Sequence, residues 1–429
     1  MKRILFQNAV ILTLDPERPL LRNSTLVVCG EKIESVGAAP EGHFDRVIDA
    51  AGRILMPGLV NAHTHSPMTL LRGLKDDCGL DEWLQKYIWP AEASLSREDF
   101  RVGAKLGIAE MLATGTTCFS DMYRASGELF KAAAEAGVKA NICDSILSPE
   151  NFDPTTNTGV LESRATLREW DNYDHGRLRC DTSIQSCWQS PPAMWRYIAD
   201  FAAENNMGIH IHLAETRSEL EHCRARYGAT PVKLLQEAGV FRNRVVAVHG
   251  IYLNEEDQQI LCAANATIVH DPCSNLKCCC GFANLKPYLE KGIPVALGTD
   301  GVSSNNTGDM FDTIKLTSLL QKMLNDDPSF LDAQQLLVMA TRNGLHSQGR
   351  DGEAGMLRPG MDADLIAVDA DFPSMQPLLS PAGNLVYSAS GAMVRMTMVR
   401  GRILYENGEF TTIDMEQLRW QLDRITERY

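Results

Sequence analysis

No hydrophobic stretch of the chain reaches the ~18 consecutive apolar residues needed to cross a bilayer. Positive charge is in deficit: 41 Lys and Arg stand against 55 Asp and Glu, a net charge of −14. That balance excludes the basic footprint of a nucleic-acid or anionic-membrane partner. No G-x-G-x-x-G turn follows an early strand, so nothing supports a dinucleotide site. No C-x-x-C pair occurs either. The 12 cysteines are scattered, apart from the run Cys278-Cys279-Cys280. Adjacent side chains on an extended segment diverge, so a structural zinc is not expected there, and reduced thiols are expected in place of disulfides. The opening MKRILFQNAVILTLDP is apolar and basic like a leader peptide, but Gln7 and Asn8 interrupt it, Asp15-Pro16 ends it and no small-residue cleavage site follows. It reads as a strand, and the protein as cytoplasmic.

What is present is a chain of 429 residues, 44% hydrophobic, with the composition of an ordered globular protein. Both ends carry short runs alternating apolar and polar residues, among them STLVVCGEKIESVG near the start and DADLIAVDA near the end. Alternation of that kind predicts strands half-buried in a sheet, and here a small β-sandwich built from both termini, over residues 1–56 and 357–429 with a terminal helix. Glu406-Asn407-Gly408 carries a hairpin signal. Between them, residues 57–356 alternate apolar strand-like runs with amphipathic helical stretches about eight times, the arithmetic of an α/β (β/α)8 TIM-type barrel. A doubly wound sheet is the competing architecture.

In such a barrel, chemistry gathers at the C-terminal ends of the strands. VNAHTHSPMTL places His63 and His65 on one side of a strand end, with Thr64 on the other. A lone H-x-H is as easily two unrelated polar residues as half a metal site. Other strand ends supply companions: GIHIHLAET carries His210, His212 and Glu215, VVAVHG ends in His249, and VALGTDG ends near Asp300. Singly, each reads as a hydrogen-bonded histidine or a turn-forming aspartate. Together, all at strand ends, they predict a divalent metal site.

These motifs, with PGLVNAHTHSPMTLLRG, EWLQKYIWPAEA, GTTCFSDMY, SNLK, NNTGDMF and GMLRPGMDADLIAVD, resemble the amidohydrolase superfamily nearly end to end. The resemblance is to the branch of methylthioadenosine/S-adenosylhomocysteine deaminases and triazine hydrolases such as atrazine chlorohydrolase. It implies His63, His65, His212 and Asp300 as metal ligands, with Glu215, His249 and Asp300 as catalytic residues, and a structural place for His210. Some members bridge two metals through a modified lysine on the fourth strand. The corresponding RLRCDTSIQ has none and Lys139 lies one strand earlier, so one divalent ion is expected, Zn2+ first and Fe2+ second. The implied reaction is attack of metal-activated water on an amino-substituted N-heterocycle (a purine, pterin, pyrimidine base or adenosine-like nucleoside), with release of ammonia. Removal of chloride or an alkylamine from an s-triazine is the alternative, and a non-catalytic barrel scaffold is a further one. Homo-oligomers are common among such enzymes.

Substrate contacts are expected from Glu92, Gln185, Glu215 and His249, with Trp83 and Trp89 either walling the pocket or packing in the core. Glu92 matches a residue that contacts the sugar in adenosine-type deaminases. Gln185 could offer its amide edge to a base. Three stretches depart from the nucleoside-deaminase pattern. CDTSIQSCWQSP lacks a histidine, NICDSILSPENF lacks an arginine, and CCCGFAN replaces a small-residue segment. These departures imply the same chemistry on a different ring, one without ribose.

Overall fold

The computed structural model describes residues 1–148 and 151–428. Pro149 and Glu150, in NICDSILSPENF, and the terminal Tyr429 lie outside them. The opening run forms β1 (Arg3–Leu12), followed by β2 (Leu20–Cys29), β3 (Lys32–Val36), β4 (Arg46–Asp49) and β5 (Arg53–Pro57). The middle of the chain contributes β6 (Leu59–Thr64), β7 (Thr116–Tyr123), β8 (Lys139–Asp144), β9 (Leu178–Cys180), β10 (Thr182–Ile184), β11 (Ile209–Leu213), β12 (Val245–His249), β13 (Thr267–His270) and β14 (Val295–Leu297). The end supplies β15 (Leu365–Asp369), β16 (Val394–Val399), β17 (Arg402–Glu406) and β18 (Glu409–Phe410).

Strands from the two ends pair in one sheet of order β18-β17-β16-β15-β5-β1-β2-β3, with β4 beside β1. β15 meets β5 antiparallel, from Leu365 opposite Pro57 to Asp369 opposite Arg53. The period of two divides its side chains between two cores. Leu55, Leu365 and Ala367 join Ile4, Phe6 and Met398 in a small one. Ile54, Met56, Ile366 and Val368 face the large core of the rest of the molecule. Asn407 and Gly408 take φ of 49° and 95°, the left-handed pair that turns β17 tightly into β18.

The middle strands are parallel and lie in two arcs, β6-β7-β8-β9 and β10-β11-β12-β13-β14. β6, β7, β8, β11, β12 and β13 are buried along their whole length, as expected of parallel strands with both faces covered. The arcs do not merge into one hydrogen-bonded sheet. At one junction Asp181 separates β9 from β10; its amide bonds back to Ile142 O (3.1 Å), while the next amide, of Thr182, turns forward to Gly208 O (2.9 Å). The Asp181 carboxylate is held by Asn141 and Arg244, fixing the interruption. At the other junction β14 and β6 meet through a single parallel bridge, Thr64 to Asp300.

Lys139 stands at the first residue of β8, far from that strand's C-terminal end. Buried there, its ammonium reaches Asp362 (2.8 Å) and Asp364 (2.7 Å), just before β15. A buried cation requires such partners, and the pairing leaves Lys139 tying the parallel strands to the terminal sheet.

Candidate metal centre and its cavity

His63 lies near the end of β6 and His65 just past it. The segment after His65 is clamped. Its turn, Ser66–Leu71, packs against the helix Arg97–Ala113, whose N-terminus is closed by a reciprocal Ser96–Asp99 cap. Contact is close enough that a Cβ on Gly103 would stand 2.6 Å from Pro67 O, and one on Gly107 2.9 Å from Ser66 O, so only glycine fits at either place. Asp121 of β7 accepts from the Ser66 amide at 3.2 Å and from its hydroxyl.

From this frame the side chains converge. His63 Nε2 and His65 Nε2 each lie 3.3 Å from Asp300 Oδ1, and His212 Nε2 lies 3.3 Å from His65 Nε2. Nitrogen and oxygen ligands about 2.0–2.1 Å from a tetrahedral ion stand about 3.3–3.4 Å apart, so this spacing fits one zinc-sized cation. His63 Nε2 is buried and has no other partner. Among the described residues, the ligand-bearing groups close enough to hold an ion are His63, His65 and His212, and His63, His249 and Asp300.

Each ring is aimed from behind. His65 Nδ1 bonds Met122 O (2.6 Å), His212 Nδ1 bonds Gln185 O (2.8 Å), His63 Nδ1 meets His210 Nε2 (2.8 Å) and His249 Nδ1 meets Asn275 Oδ1 (2.9 Å). Partners of this kind fix tautomer and orientation. Asp300 Oδ2 accepts from Ser274 Oγ (2.5 Å) and Ser304 Oγ (3.1 Å). Both His249 and Asp300 are held at left-handed φ, 73° and 59°, a strained backbone that the surrounding packing must enforce. Burial lowers the imidazoles, His63 well below its ordinary value and His212 and His249 each to about 4, so they stand neutral with lone pairs free to ligate. Burial alone would raise Asp300, but its bond to His63 and the neighbouring rings hold it well below the usual carboxylate range.

Glu215 sits at the margin of this group, with Oε1 3.7 Å from His249 Nε2 and 3.5 Å from Cys280 Sγ. Burial pushes its carboxyl up to about 7. Outward from these converging side chains opens a cavity of about 860 Å³. Its wall includes Trp83, Trp89, Glu92 and Gln185, along with His249 and Glu215. Glu92 is buried and accepts the Tyr123 hydroxyl. The Gln185 side chain is taken up by Ser145, and its main-chain carbonyl is what touches His212.

Several supporting residues carry no signal in the sequence. Asn275, Ser274, Ser304, Asp121 and Tyr123 become visible only through their partners, whereas His210 was expected in a structural place and stands behind His63. Ser274 and Asn275 lie in SNLK and Ser304 in GTDGVSSNN, so the motifs contained them without assigning work to each. Cys278 and Cys280 are buried while Cys279 is exposed, so adjacent thiols do diverge.

Imidazoles and a carboxylate spaced for one cation, at the C-terminal ends of parallel strands and beside a protonatable glutamate, define a metal-dependent hydrolase. Residues 54–404 match the model of the Amidohydrolase family, and the chain belongs to that family. It is 38% identical over 418 residues to a 5'-deoxyadenosine deaminase of Methanosarcina acetivorans, covering 97% of this chain and 96% of that protein. It is 40% identical over 382 residues to a 5-methylthioadenosine/S-adenosylhomocysteine deaminase of Dictyoglomus thermophilum, with 89% and 88% covered. Among solved structures, an adenosine deaminase from Xanthomonas campestris with bound zinc superposes with a TM-score of 0.93 at 29% identity, covering 99% of this chain and 98% of that one.

Proposed function

We propose that the protein is a hydrolytic deaminase of an amino-substituted purine nucleoside, with one divalent ion held by His63, His65, His212 and Asp300. The observation that carries this reading is the convergence of those four side chains at ligand spacing on one wall of a cavity, with Glu215 beside them. A divalent ion bound there, zinc in the first instance and ferrous iron in the second, supplies Lewis-acid activation of water near neutral pH. Lys139, engaged by two aspartates at the opposite end of its strand, supports a count of one ion.

The protein's own groups do the rest. Asp300, its Oδ2 anchored by two serines, accepts the proton of the attacking water. His249, fixed through Nδ1 by Asn275, turns Nε2 toward the same space and hydrogen-bonds that water. Glu215, poised at about 7, protonates a ring nitrogen next to the amino-bearing carbon, is recharged by the proton that Asp300 took from the water and delivers it to the departing ammonia, and regains its own from the added hydroxyl as the carbonyl forms. Chloride departs without taking up a proton and so has less need of such an acid, which favours the deaminase over the triazine reading. Glu92, buried on the cavity wall, receives ribose hydroxyls on this reading. A nucleoside takes the place of the ribose-free ring expected from the altered pocket stretches, because the near-full-length relatives bear nucleoside-deaminase names and the cavity exceeds what a bare base needs.

For the architecture, we infer that the two parallel arcs form one (β/α)8 barrel over residues 57–356. The terminal sheet folds as a sandwich over 1–56 and 357–429, supported by its separate small core. Cytoplasmic residence is supported by 12 free thiols, and a homo-oligomer is measurable by light scattering. The deciding experiment is ammonia release from adenosine, 5'-deoxyadenosine, methylthioadenosine, adenine, guanine, cytosine and a pterin, with metal analysis of the same preparation. Turnover of free bases with inert nucleosides would overturn the nucleoside assignment; no ammonia from any of them would overturn the deaminase.

A further inference from the structure

The turn that presents Glu215 is strained. β11 ends at Leu213, and Ala214 follows with a φ of 51°, the left-handed conformation that side chains disfavour. Such a residue persists only where its neighbours over-determine it. On the carbonyl side the Gly250 amide bonds Leu213 O, and the Ile251 and Tyr252 amides bond Ala214 O, each at 3.0 Å. On the amide side Glu219 Oε2 accepts from the Glu215 amide, also at 3.0 Å.

Glu219 lies in the first turn of the helix Arg217–Tyr227, whose N-cap is Thr216. T-x-x-E at a helix start predicts a reciprocal box, with the hydroxyl on the Glu amide and the carboxylate on the Thr amide. Ser96 with Asp99, Asn254 with Asp257 and Asp332 with Gln335 close that box in full. Here only half of it forms. Thr216 Oγ1 accepts the Glu219 amide at 3.1 Å, but the Glu219 carboxyl reaches past Thr216 to the residue before it.

Helix capping does not account for this. Glu219 is 3% exposed and its Oε1 is buried with no hydrogen-bond partner, whereas Arg428 and Thr230 take up the second oxygens of Asp99 and Asp257. An unpaired buried oxygen offsets what a cap contributes. Burial, with Cys223 and Glu215 beside it, drives the carboxyl well above its ordinary range against the pull of the Glu215 and Cys187 amides. The group is therefore a neutral acceptor, and what it holds is the main chain of Glu215.

We propose that Glu219 is the positioning residue of Glu215: it takes the Glu215 amide in place of the helix cap and so fixes the turn that sets the Glu215 carboxyl 3.7 Å from His249 Nε2. The inference rests on the reading of Glu215 as the proton donor and deepens it.

The test is ammonia release from the nucleoside that the wild-type enzyme turns over best, with bound metal measured alongside. Glu219→Met keeps the side chain's length and removes the acceptor. Its kcat should fall about 10–100-fold, the effect of a reacting group set ~1 Å out of place, with KM and metal content unchanged. Glu219→Gln matches the neutral acid, keeps an acceptor and should recover most of that loss. In a Glu215→Gln background, Glu219→Met should change kcat by no more than about twofold, because a residue acting through Glu215 has nothing left to position. Should Glu219→Met not fold, Glu219→Asp withdraws the carboxyl by one methylene and carries the same comparison. Wild-type kcat in these variants would overturn the proposal, as would an equal loss with and without the Glu215 carboxyl, or a Glu219→Gln enzyme as impaired as Glu219→Met. Full activity in Glu215→Gln alone would overturn the role of Glu215 itself, and this inference with it.

Discussion

The two sides of the cavity are built on different principles. On the β6, β11 and β12 side, every functional ring is held by an atom that cannot wander: the main-chain carbonyls of Met122 and Gln185, or the buried side chains of His210 and Asn275. On the β7 to β10 side, polar groups hold one another in pairs: Tyr123 with Glu92, Ser145 with Gln185, Arg97 with Glu162. The first arrangement fixes geometry for a reaction, and pre-organised groups need no movement as charge develops. The second satisfies each group while the cavity is empty, yet a ligand can trade for one partner at modest cost. On the proposed assignment, the difference separates a reacting side from a recognising side.

Breaking the reacting side should affect all substrates equally. Asp300→Ala removes a ligand atom at the meeting point of His63 and His65, and the expected result is loss of bound metal together with all detectable ammonia release. Chelation of the wild-type enzyme should do the same, reversed by added zinc. Metal retained at full stoichiometry in Asp300→Ala would remove Asp300 from the ligand set.

Glu215→Gln should lower kcat by ~10²–10⁴ for every substrate while metal content stays unchanged, the usual worth of a positioned proton donor. The pH profile sharpens this. Burial raises Glu215 to about 7, so the carboxyl keeps its proton below that value and loses it above. Wild-type kcat/KM should fall about tenfold per pH unit on the alkaline side, and the Gln variant should lack that limb. A variant that still shows it would assign the limb to another group.

Glu92→Gln probes the recognising side, and the effect should be smaller and selective. A hydrogen bond to a charged acceptor is worth about 1.5–3 kcal/mol, so kcat/KM for nucleosides should drop roughly 10–100-fold, mostly through KM, with metal content intact. An equal loss for adenine and adenosine would move Glu92 to the reacting side and break the comparison.

The same division governs what was legible in the sequence. The residues proposed to react lie where strands end, and apolar runs closing in His or Asp mark them one by one: HTH, HIH, VHG, GTD. Alternation at the two ends of the chain likewise announced that terminal strands share a sheet, as the β5–β15 pairing has it. Recognising residues leave no such mark. Tyr123 and Glu92 are joined across 31 positions. Gln185 was legible as a polar residue after a strand, yet its contact with His212 runs through a carbonyl that every residue type possesses. The break between the arcs escaped the periodic pattern for a similar reason, since a single buried aspartate suffices to switch hydrogen-bonding partners.

Tyr123→Phe should produce the smallest change and tests the pairing principle most directly. The hydroxyl donates to Glu92, whose carboxyl burial already raises above its ordinary value, while this bond pulls it back down. Removing the hydroxyl lets the carboxyl rise further, so its ionised form is lost at a higher pH as the solution is acidified. KM for adenosine should therefore begin to climb at a higher pH in the variant than in the wild type, with a loss of ~1 kcal/mol, about fivefold in kcat/KM, on the acidic side of the profile and little on the alkaline side. The phenyl ring keeps its packing against Phe100 and His65, so the metal centre should be unaffected. A loss of the same size at every pH would mean that Tyr123 meets the substrate itself, and the two sides of the cavity would then share a residue.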